Sequence, residues 1–493
     1  MEKSQSKDKK IYNNSCIIIS KASISMKKYI FITLFLIGAI YALSLREEVS
    51  PLNLSSFKNT SPIKKQHWGT CWAFATISSL ESNILINKLD HTHDLSEYHL
   101  DKYNGFNRDG RVSDPKREWF STQGEGFEGS NIDNLKQGVM VHLGGDYTVA
   151  AAYLSGTLGA VEESKTPSIT SERSFREFGN SKTTGILLEN NYTYVFPKSI
   201  QWLTLSGSDE EKRERIQSAI SIHGSVASSQ YMEDTPVGMY RGSEVHLNLT
   251  KTKPNHAVSL VGWDDDFLFK GHKGAWIVKD SDHIDEETNK KIPLFYIPYD
   301  DLITAKDKKL GGVVFKDVSK RPSNTKIYNH ALHGWQYSIE NGEAVKNSYQ
   351  ISGRETLYGL GIYIPEPSDT IKITILKNGN KMQEIDYSSS YPGFYYLETN
   401  SLEVNKKDTI EIIQENKSNI YALDSSFWLD ILLSSEEDIL KPQWIGSNAS
   451  EGESLYKKNN KWLDLVNRQE EKSDISFKNA NFPILIYTSR YEK

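Results

Sequence analysis

The stretch Gln66-His-Trp-Gly-Thr-Cys-Trp-Ala-Phe-Ala75 determines how the rest of this sequence is interpreted. Apolar residues follow its cysteine at helical spacing, at Ala73, Ile77, Leu80 and Ile84. This spacing predicts a helix that begins at Cys71, with Thr70 as its N-cap residue. Because a helix N-terminus stabilises an anion, the Cys71 thiol lies where its reactive thiolate form is favoured.

A targeting signal precedes this helix. Lys27 and Lys28 are followed by 15 uncharged residues, 29–43, and by a small-x-small cleavage pattern that ends at Ser44. This order is typical of a signal peptide, and the apolar run is shorter than the roughly 20 residues of a membrane span. We therefore predict a cleaved signal peptide at 26–44, with a retained membrane anchor as the alternative. Residues 1–25 precede it as a leader to which no function is assigned.

Cysteine usage supports a chemical role for Cys71. The chain has two cysteines, and Cys16 lies before the predicted signal peptide. The exported protein therefore keeps one thiol and forms no internal disulfide. A single thiol in an oxidising compartment is a liability unless it has a function.

Length and composition indicate a soluble protein of two or three domains. The chain has 493 residues, of which 38% are hydrophobic and 25% charged, and its net charge is −6. These values are typical of globular proteins. A negative chain without a basic stripe argues against a nucleic-acid partner.

The order of predicted elements changes along the chain. After the Cys71 helix, a second helix is predicted at 210–223, ending at Gly224, and strands are predicted at 257–263, 274–279 and 294–299. Beyond about residue 325 the pattern is of short alternating strands, at 357–364, 370–376 and 409–413. Asn378-Gly379 predicts a hairpin turn. The sequence thus indicates a mixed α and β domain followed by an all-β domain.

The residues around Cys71 resemble the papain family of cysteine peptidases. Trp68-Gly-Thr-Cys-Trp72 is similar to the family's motif around its nucleophile, and residues 69–76 match the form found in bacterial members. Leu95-Ser-Glu97 resembles a further family motif. The resemblance implies that Cys71 is the catalytic nucleophile.

Asn255-His-Ala-Val-Ser-Leu-Val-Gly-Trp263 resembles the family segment in which the catalytic base enters a strand. The resemblance implies that His256 is this base. It follows Cys71 by 185 positions (256 − 71), whereas about 130–150 are expected. We place the extra residues within 163–200 and expect a surface loop there.

The third catalytic residue departs from the family pattern, which reads Lys-Asn-Ser-Trp-Gly. This chain has Lys279-Asp-Ser-Asp282, so the asparagine is replaced by Asp280 and the tryptophan by Asp282. A carboxylate can still accept a hydrogen bond from the imidazole and orient it. We therefore expect Asp280 to be the third member of the triad, with an altered pH dependence.

The resemblance also implies an oxyanion donor and substrate contacts. Gln66 is the expected oxyanion donor, although the family's glutamine stands one position earlier, where this chain has Lys65. Gly144 and Gly145 resemble the paired glycines that bind substrate backbone. Residues 224–228 resemble a strand beside the pocket for the substrate residue second from the cut. The run of aspartates at 264–266 lacks the ligand spacing of a calcium loop, so we expect a solvated turn, and neither a metal nor a cofactor.

The C-terminal part resembles the lectin-like domain that follows the peptidase in some bacterial surface proteases. The segments that carry this resemblance are 328–335, 355–363 and 453–465. It implies an α+β chain, with a two-lobed papain-like peptidase domain at 45–320 and a lectin-like β-sandwich at 321–493. One peptidase lobe would be helical and the other β-barrel-like. The C-terminal domain would bind sugar or brace the peptidase.

These observations predict a secreted or cell-surface cysteine endopeptidase that hydrolyses protein or peptide substrates through a thioester. A cell-surface glycan or wall component is the expected partner of the lectin-like domain. Two alternatives stay open. One is an adhesin on a catalytically decayed scaffold, and the other is a transglutaminase-like acyl transferase, which also uses Cys, His and Asp in that order.

Overall fold

The computed structural model describes residues 60–62, 64–66, 69–89, 94–106, 144–166, 192–233, 235–282, 294–322, 324–340, 342–429, 443–468 and 477–490. The chain divides into two units, Met1–Ser50 and Pro51–Lys493, and all the described residues belong to the second. The predicted leader and signal peptide, residues 1–44, lie outside the described residues. Among the helices that are described, none is long and apolar enough to cross a membrane.

Four α-helices are described: α1 (Cys71–Ile86), α2 (Glu97–Lys102), α3 (Tyr147–Gly156) and α4 (Asp209–His223). Single 3-10 turns cover Glu163–Lys165, Leu465–Asn467 and Phe477–Asn479. The helix predicted at Cys71 is confirmed. The helix predicted at 210–223 begins one residue earlier, because Ser208 and Glu211 form a capping box at its N-terminus. It ends as predicted at Gly224, whose φ of 96° favours glycine.

Most of the regular structure is β-strand. The strands before residue 321 are β1 (Val195–Trp202), β2 (Val226–Gln230), β3 (Gly238–Tyr240), β4 (Ser243–Val245), β5 (His256–Phe269), β6 (His272–Lys279), β7 (Leu294–Pro298) and β8 (Val313–Lys320). The strands after it are β9 (Thr325–Tyr328), β10 (Tyr337–Glu340), β11 (Ala344–Gln350), β12 (Glu355–Ile364), β13 (Thr370–Lys377), β14 (Asn380–Ser388), β15 (Gly393–Val404), β16 (Thr409–Asn416), β17 (Ile420–Leu423), β18 (Phe427–Leu429), β19 (Gln443–Ile445), β20 (Ser454–Lys458), β21 (Lys461–Asp464) and β22 (Ile484–Arg490). The strands and the Asn378-Gly379 hairpin predicted from the sequence are confirmed.

One twelve-stranded sheet runs through both halves of the chain, in the order β3-β4-β7-β6-β5-β2-β8-β1-β15-β12-β22-β9. The two halves of the chain meet at the interior strand β1, which pairs with β8 on one side and with β15 on the other; Ile200 lies opposite Phe315 and Phe394. Helix α1 packs on β2, β5 and β8. The sheet is open, and the described strands form no closed barrel of the kind that the family resemblance implied.

Two sequence-based expectations are wrong. The extra residues at 163–200 were expected to form a surface loop, but 195–200 belong to β1, a buried strand in the interior of the sheet. Its side chains are largely apolar and face neighbours on both sides. Residues 167–191 lie outside the described residues. The aspartates at 264–266 were expected in a turn but lie within β5, where the pairing with β6 is irregular between Asp264 and Leu268.

The C-terminal strands form a second layer. Six of them make a sheet in the order β14-β13-β16-β11-β20-β21, and β10 with β17 and β18 with β19 form two-stranded pairs. A continuous apolar cluster joins this sheet to the C-terminal strands of the large sheet, with Ile373 and Ile412 on one side and Leu360 and Ile486 on the other. The two sheets therefore share one core, separate from the core around α1.

Direct contacts join the C-terminal strands to helix α3. The Ser155 hydroxyl is 2.8 Å from the Tyr363 hydroxyl, and Tyr487 donates to the Ser155 carbonyl at 2.8 Å. Arg321 lies between the Phe196 and Tyr487 rings, 3.7 and 4.6 Å from their centroids, and its Nε donates to Leu158 O. These buried contacts indicate that the C-terminal part braces the N-terminal part.

We predict that separating the chain near residue 322 leaves neither half stably folded. The cut would expose the β1 edge that pairs with β15 and the apolar surface around Tyr363 and Tyr487. Expression of residues 45–322 and 323–493 alone should give aggregates, whereas co-expression should recover soluble complex. Cooperative thermal unfolding of the isolated C-terminal fragment would contradict the brace.

Candidate active site

Cys71 is the first residue of α1 and is buried, with 2% of its surface exposed. Thr70 occupies the N-cap position, and its carbonyl accepts from Ala73 N at 2.9 Å, but its side chain makes no capping hydrogen bond. The thiol thus lies at the positive end of a 16-residue helix. The backbone N–H groups of the first helical turn therefore lie beside the thiol.

His256 and Asp280 meet because of the register of two strands. His256 is the first residue of β5, and Asp280 follows the last residue of β6. The strands are antiparallel, with Ser259 opposite Lys279, so the start of one lies beside the end of the other. His256 Nε2 is 2.9 and 3.0 Å from the two carboxylate oxygens of Asp280. The carboxylate is fully buried and fixes the plane of the imidazole.

The electrostatics around His256 favour its protonated form. Burial lowers the pKa of His256, but the charge and hydrogen bond of Asp280 and the hydrogen bond and charge of Cys71 outweigh burial and hold it well above 6.5. Because Nε2 is bound to Asp280, Nδ1 is the ring nitrogen that serves Cys71. The site therefore holds a protonated imidazole beside the Cys71 thiol.

Gln66 is buried beside Ser281, while Lys65 is exposed. Ser281 Oγ donates to Gln66 Oε1 at 2.6 Å, and Gln66 N donates to Ser281 O at 3.1 Å. The first bond occupies the side-chain oxygen of Gln66. The group of this side chain that can donate a hydrogen bond is its NH2 group. This geometry suits the expected oxyanion donor, whose role remains a prediction.

Gly144 and Gly145 lie just before α3. The packing around Gly145 explains why a glycine occupies that position. A Cβ on Gly145 would lie 2.6 Å from the ring of Trp72, the neighbour of the nucleophile. The glycine lets this segment pack directly on the indole. The expected role of the pair in binding substrate backbone remains a prediction.

Sequence reasoning missed Ser281 and Tyr147 at this site. The sequence did contain a signal for Ser281. The lysine and serine of the family segment are retained in this chain as Lys279 and Ser281, on either side of Asp280. Tyr147 begins α3 and donates its hydroxyl to Ser228 O. Its pKa is raised well above 10.0 by burial and by the nearby charge of Cys71. The strand predicted at 224–228 is observed as β2 (Val226–Gln230), and its role beside a substrate pocket remains a prediction.

The described residues hold no group of three or more His, Cys, Asp or Glu side chains arranged as a metal site. In the aspartate run, Asp265 accepts from the Tyr299 hydroxyl at 2.7 Å, and Asp264 accepts from Asp266 N at 3.0 Å. These contacts are structural and lie on the far part of β5.

Comparison with known proteins extends this picture. No profile of a protein family matches the chain, and no curated protein matches it. Among solved structures, the clostridial cysteine protease Cwp84 after propeptide cleavage is 21% identical, with a TM-score of 0.66, and the match covers 90% of this chain and 100% of that one. The cysteine protease and lectin-like domains of Cwp84, a surface layer associated protein of Clostridium difficile, are 20% identical, with a TM-score of 0.65 and 90% of each chain covered. This chain therefore has the fold of a papain-like cysteine protease joined to a lectin-like domain.

We predict that Gly145→Ala lowers the free energy of unfolding by about 1–3 kcal/mol, because the added methyl group overpacks Trp72. Gly353→Ala is the matched control, since its Cβ would approach no atom closer than 3.3 Å, at Glu355 Oε1. The control should change stability by no more than about 0.5 kcal/mol. Denaturant titration of both variants is the measurement, and equal effects would contradict the packing account.

A second prediction concerns Asp280. Its carboxylate raises the pKa of His256, so Asp280→Asn should lower that pKa, and the imidazolium should be lost at a lower pH. The basic limb of the kcat/KM profile should then move to lower pH, with measurable activity kept. Asp280→Ala should reduce kcat/KM by about 10²-fold or more, because His256 loses its orienting partner.

The pH–rate profiles of wild type and both variants test this assignment. If Asp280→Ala matches wild type at every pH, Asp280 does not orient the base. The neighbouring carboxylate of Asp282, whose backbone N–H donates to Asp280 Oδ1 at 2.9 Å, would then be the next group to replace.

Proposed function

We propose that this chain is a secreted cysteine endopeptidase that hydrolyses protein substrates through a thioester acyl-enzyme. The observation that carries the proposal is the hydrogen bond between Cys71 and His256, together with the bond from His256 Nε2 to Asp280. A thiol at a helix N-terminus, a buried imidazole and an orienting carboxylate supply a nucleophile and a general acid–base. The protease fold shared with Cwp84 supports the same reading.

The reaction follows from the resting thiolate–imidazolium pair. The Cys71 thiolate attacks the peptide carbonyl, and the C–N bond breaks as His256 gives its proton to the leaving amine. The neutral imidazole then takes a proton from a water molecule that attacks the thioester. The C–S bond breaks, the thiolate is released, and His256 is again protonated.

Oxyanion stabilisation is the second requirement. We assign it to the NH2 group of Gln66 and the backbone N–H of Cys71, which can both donate to a negative oxygen formed on the substrate carbonyl. The bonds between Gln66 and Ser281 fix the orientation of the amide before substrate arrives. Gly144 and Gly145 would lie along the substrate backbone. Every step uses side-chain and backbone groups of this chain and one water molecule.

We assign residues 45–320 to the peptidase domain and 321–493 to the lectin-like domain. The contacts of Tyr363 and Tyr487 with α3 support a bracing role. A cell-surface glycan or wall component is the proposed partner of the lectin-like domain. The signal pattern at 26–44 supports secretion, and the shared fold with a surface layer associated protein supports a place at the cell surface.

Cys71→Ala tests the proposal, with Cys16→Ala as the matched control. Cys71→Ala should abolish hydrolysis of a casein or peptide-library substrate with little loss of stability, because it removes a single buried sulfur atom. Cys16→Ala should leave hydrolysis unchanged. An epoxide that alkylates active-site thiols should label wild type once, at Cys71, and should not label Cys71→Ala.

Other outcomes would overturn the proposal in distinct ways. Hydrolysis retained by Cys71→Ala would remove the nucleophile assignment. Wild type that neither hydrolyses peptides nor reacts with the epoxide would indicate a decayed scaffold used as an adhesin. Incorporation of a primary amine into a glutamine peptide, without hydrolysis, would indicate an acyl transferase.

A further inference from the structure

Buried charges lie directly behind the catalytic residues. Lys64 Nζ is 2.8 Å from Glu81 in α1, 3.0 Å from Glu97 at the start of α2, and 3.0 Å from Asp94. The Glu81 and Glu97 side chains are 1% and 4% exposed. Lys64 also donates to Leu95 O at 2.6 Å. This lysine therefore ties the segment before α1 to both helices that follow it.

A second lysine holds the end of β6. Lys279 is 8% exposed, and its Nζ donates to Ser61 O and Ser61 Oγ at 2.9 Å each and to Ser78 Oγ at 3.2 Å. Ser61 belongs to the segment before α1, and Ser78 lies in α1. Lys279 thus ties β6 to the helix that carries the nucleophile.

The two lysines and two glutamates border one small cavity. Its volume is about 20 Å³, room for a single water molecule, and Ala257 and Ser281 of the catalytic strands also line it. The cavity lies between α1 and β5, the two elements that present Cys71 and His256. The charges are therefore placed at the junction that sets the geometry of the site.

Keeping these charges buried is energetically unfavourable. Burial raises the pKa of Glu97 to about 8, against the opposing charge of Lys64. Burial lowers the pKa of Lys279 to about 8, although Glu81 and Glu97 oppose this change. Apolar side chains could fill such a space at lower cost. An ionic arrangement here is consistent with a requirement for fixed geometry.

Each of the two lysines stands two residues before one member of the hydrogen-bonded pair Gln66 and Ser281. Lys64 stands two residues before Gln66, and Lys279 stands two residues before Ser281. Gln66 and Ser281 are joined by two hydrogen bonds. Each segment of this doubly bonded pair is therefore anchored, two residues upstream, by a lysine that contacts α1.

We propose that Lys64 and Lys279 are positioning residues that hold Gln66, through Ser281, at the oxyanion position above Cys71. The inference rests on the proposed peptidase function and adds to it the residues that set the oxyanion contact. The contact forms only as charge develops on the substrate oxygen, so loosening it should lower kcat and leave KM nearly unchanged. Removing an oxyanion donor outright costs about 10²–10³-fold in kcat. Removing one anchor should cost less, about 10-fold.

The test is a double-mutant cycle on the full chain. Lys64→Met and Lys279→Met are made in wild type and in Gln66→Ala, and kcat and KM are measured with a peptide substrate. Alkylation of Cys71 by iodoacetamide is measured in parallel, because that reaction forms no oxyanion. Lys346→Met is the matched control: it breaks a partly buried ion pair, Lys346–Glu411 at 2.5 Å, in the C-terminal strands. Ser78→Ala is the milder variant, which removes one acceptor of Lys279 and no charge.

In the wild-type background, each lysine variant should lose about 10-fold in kcat. In the Gln66→Ala background, the same change should cause little further loss of kcat. The rate of Cys71 alkylation should be unchanged. Lys64→Arg should recover most of the loss, and Ser78→Ala should give a smaller loss of the same kind, so the inference stays testable if a lysine variant does not fold. Lys346→Met should lower the melting temperature without lowering kcat.

Losses of kcat that add to the loss in Gln66→Ala, or that are matched by an equal loss of alkylation, would overturn the inference. Wild type that is alkylated but does not hydrolyse peptides would overturn the proposed function itself.

Discussion

The buried imidazole of His256, held between a thiol and a carboxylate, is the interaction on which the site depends. Such a group is unfavourable as a cation unless negative partners surround it. Asp280 and Cys71 supply these partners from two different elements, the end of β6 and the start of α1. The antiparallel register of β5 with β6, and the packing of α1 on β5, are what bring them together. The fold of the N-terminal part can be understood as the frame that fixes this contact.

The same frame extends beyond the N-terminal part. Strand β1 joins β8 to β15, so a single sheet continues into the C-terminal strands. Ser155 of α3 contacts Tyr363 and Tyr487 of those strands. The C-terminal strands therefore contact α3, the helix whose first residue, Tyr147, has its pKa raised by burial and by the nearby charge of Cys71. The lectin-like part is thus structurally continuous with the site that it accompanies.

The positions of the candidate site residues were more predictable from sequence than the architecture. Cys71, His256 and Asp280 lie in local motifs, where a helix start and a strand start determine the position of the side chain. The interior position of β1 was missed because a strand's place in a sheet depends on partners such as β15, about 190 residues away in sequence. The turn expected at 264–266 was wrong because charged residues also occur in a solvated, bulged strand. The lysine anchors were missed because buried ion pairs leave no periodic pattern in the sequence.

The protonation state of His256 tests the central claim most directly. Ring-nitrogen NMR of protein with ¹⁵N-labelled histidine, titrated with pH, reports it, and subtraction of the His256→Gln spectrum identifies the signal among the 12 histidines. The account predicts that both ring nitrogens carry protons at neutral pH, and that deprotonation occurs well above 6.5. A neutral ring at pH 7, titrating at or below 6.5, would contradict a resting thiolate–imidazolium pair.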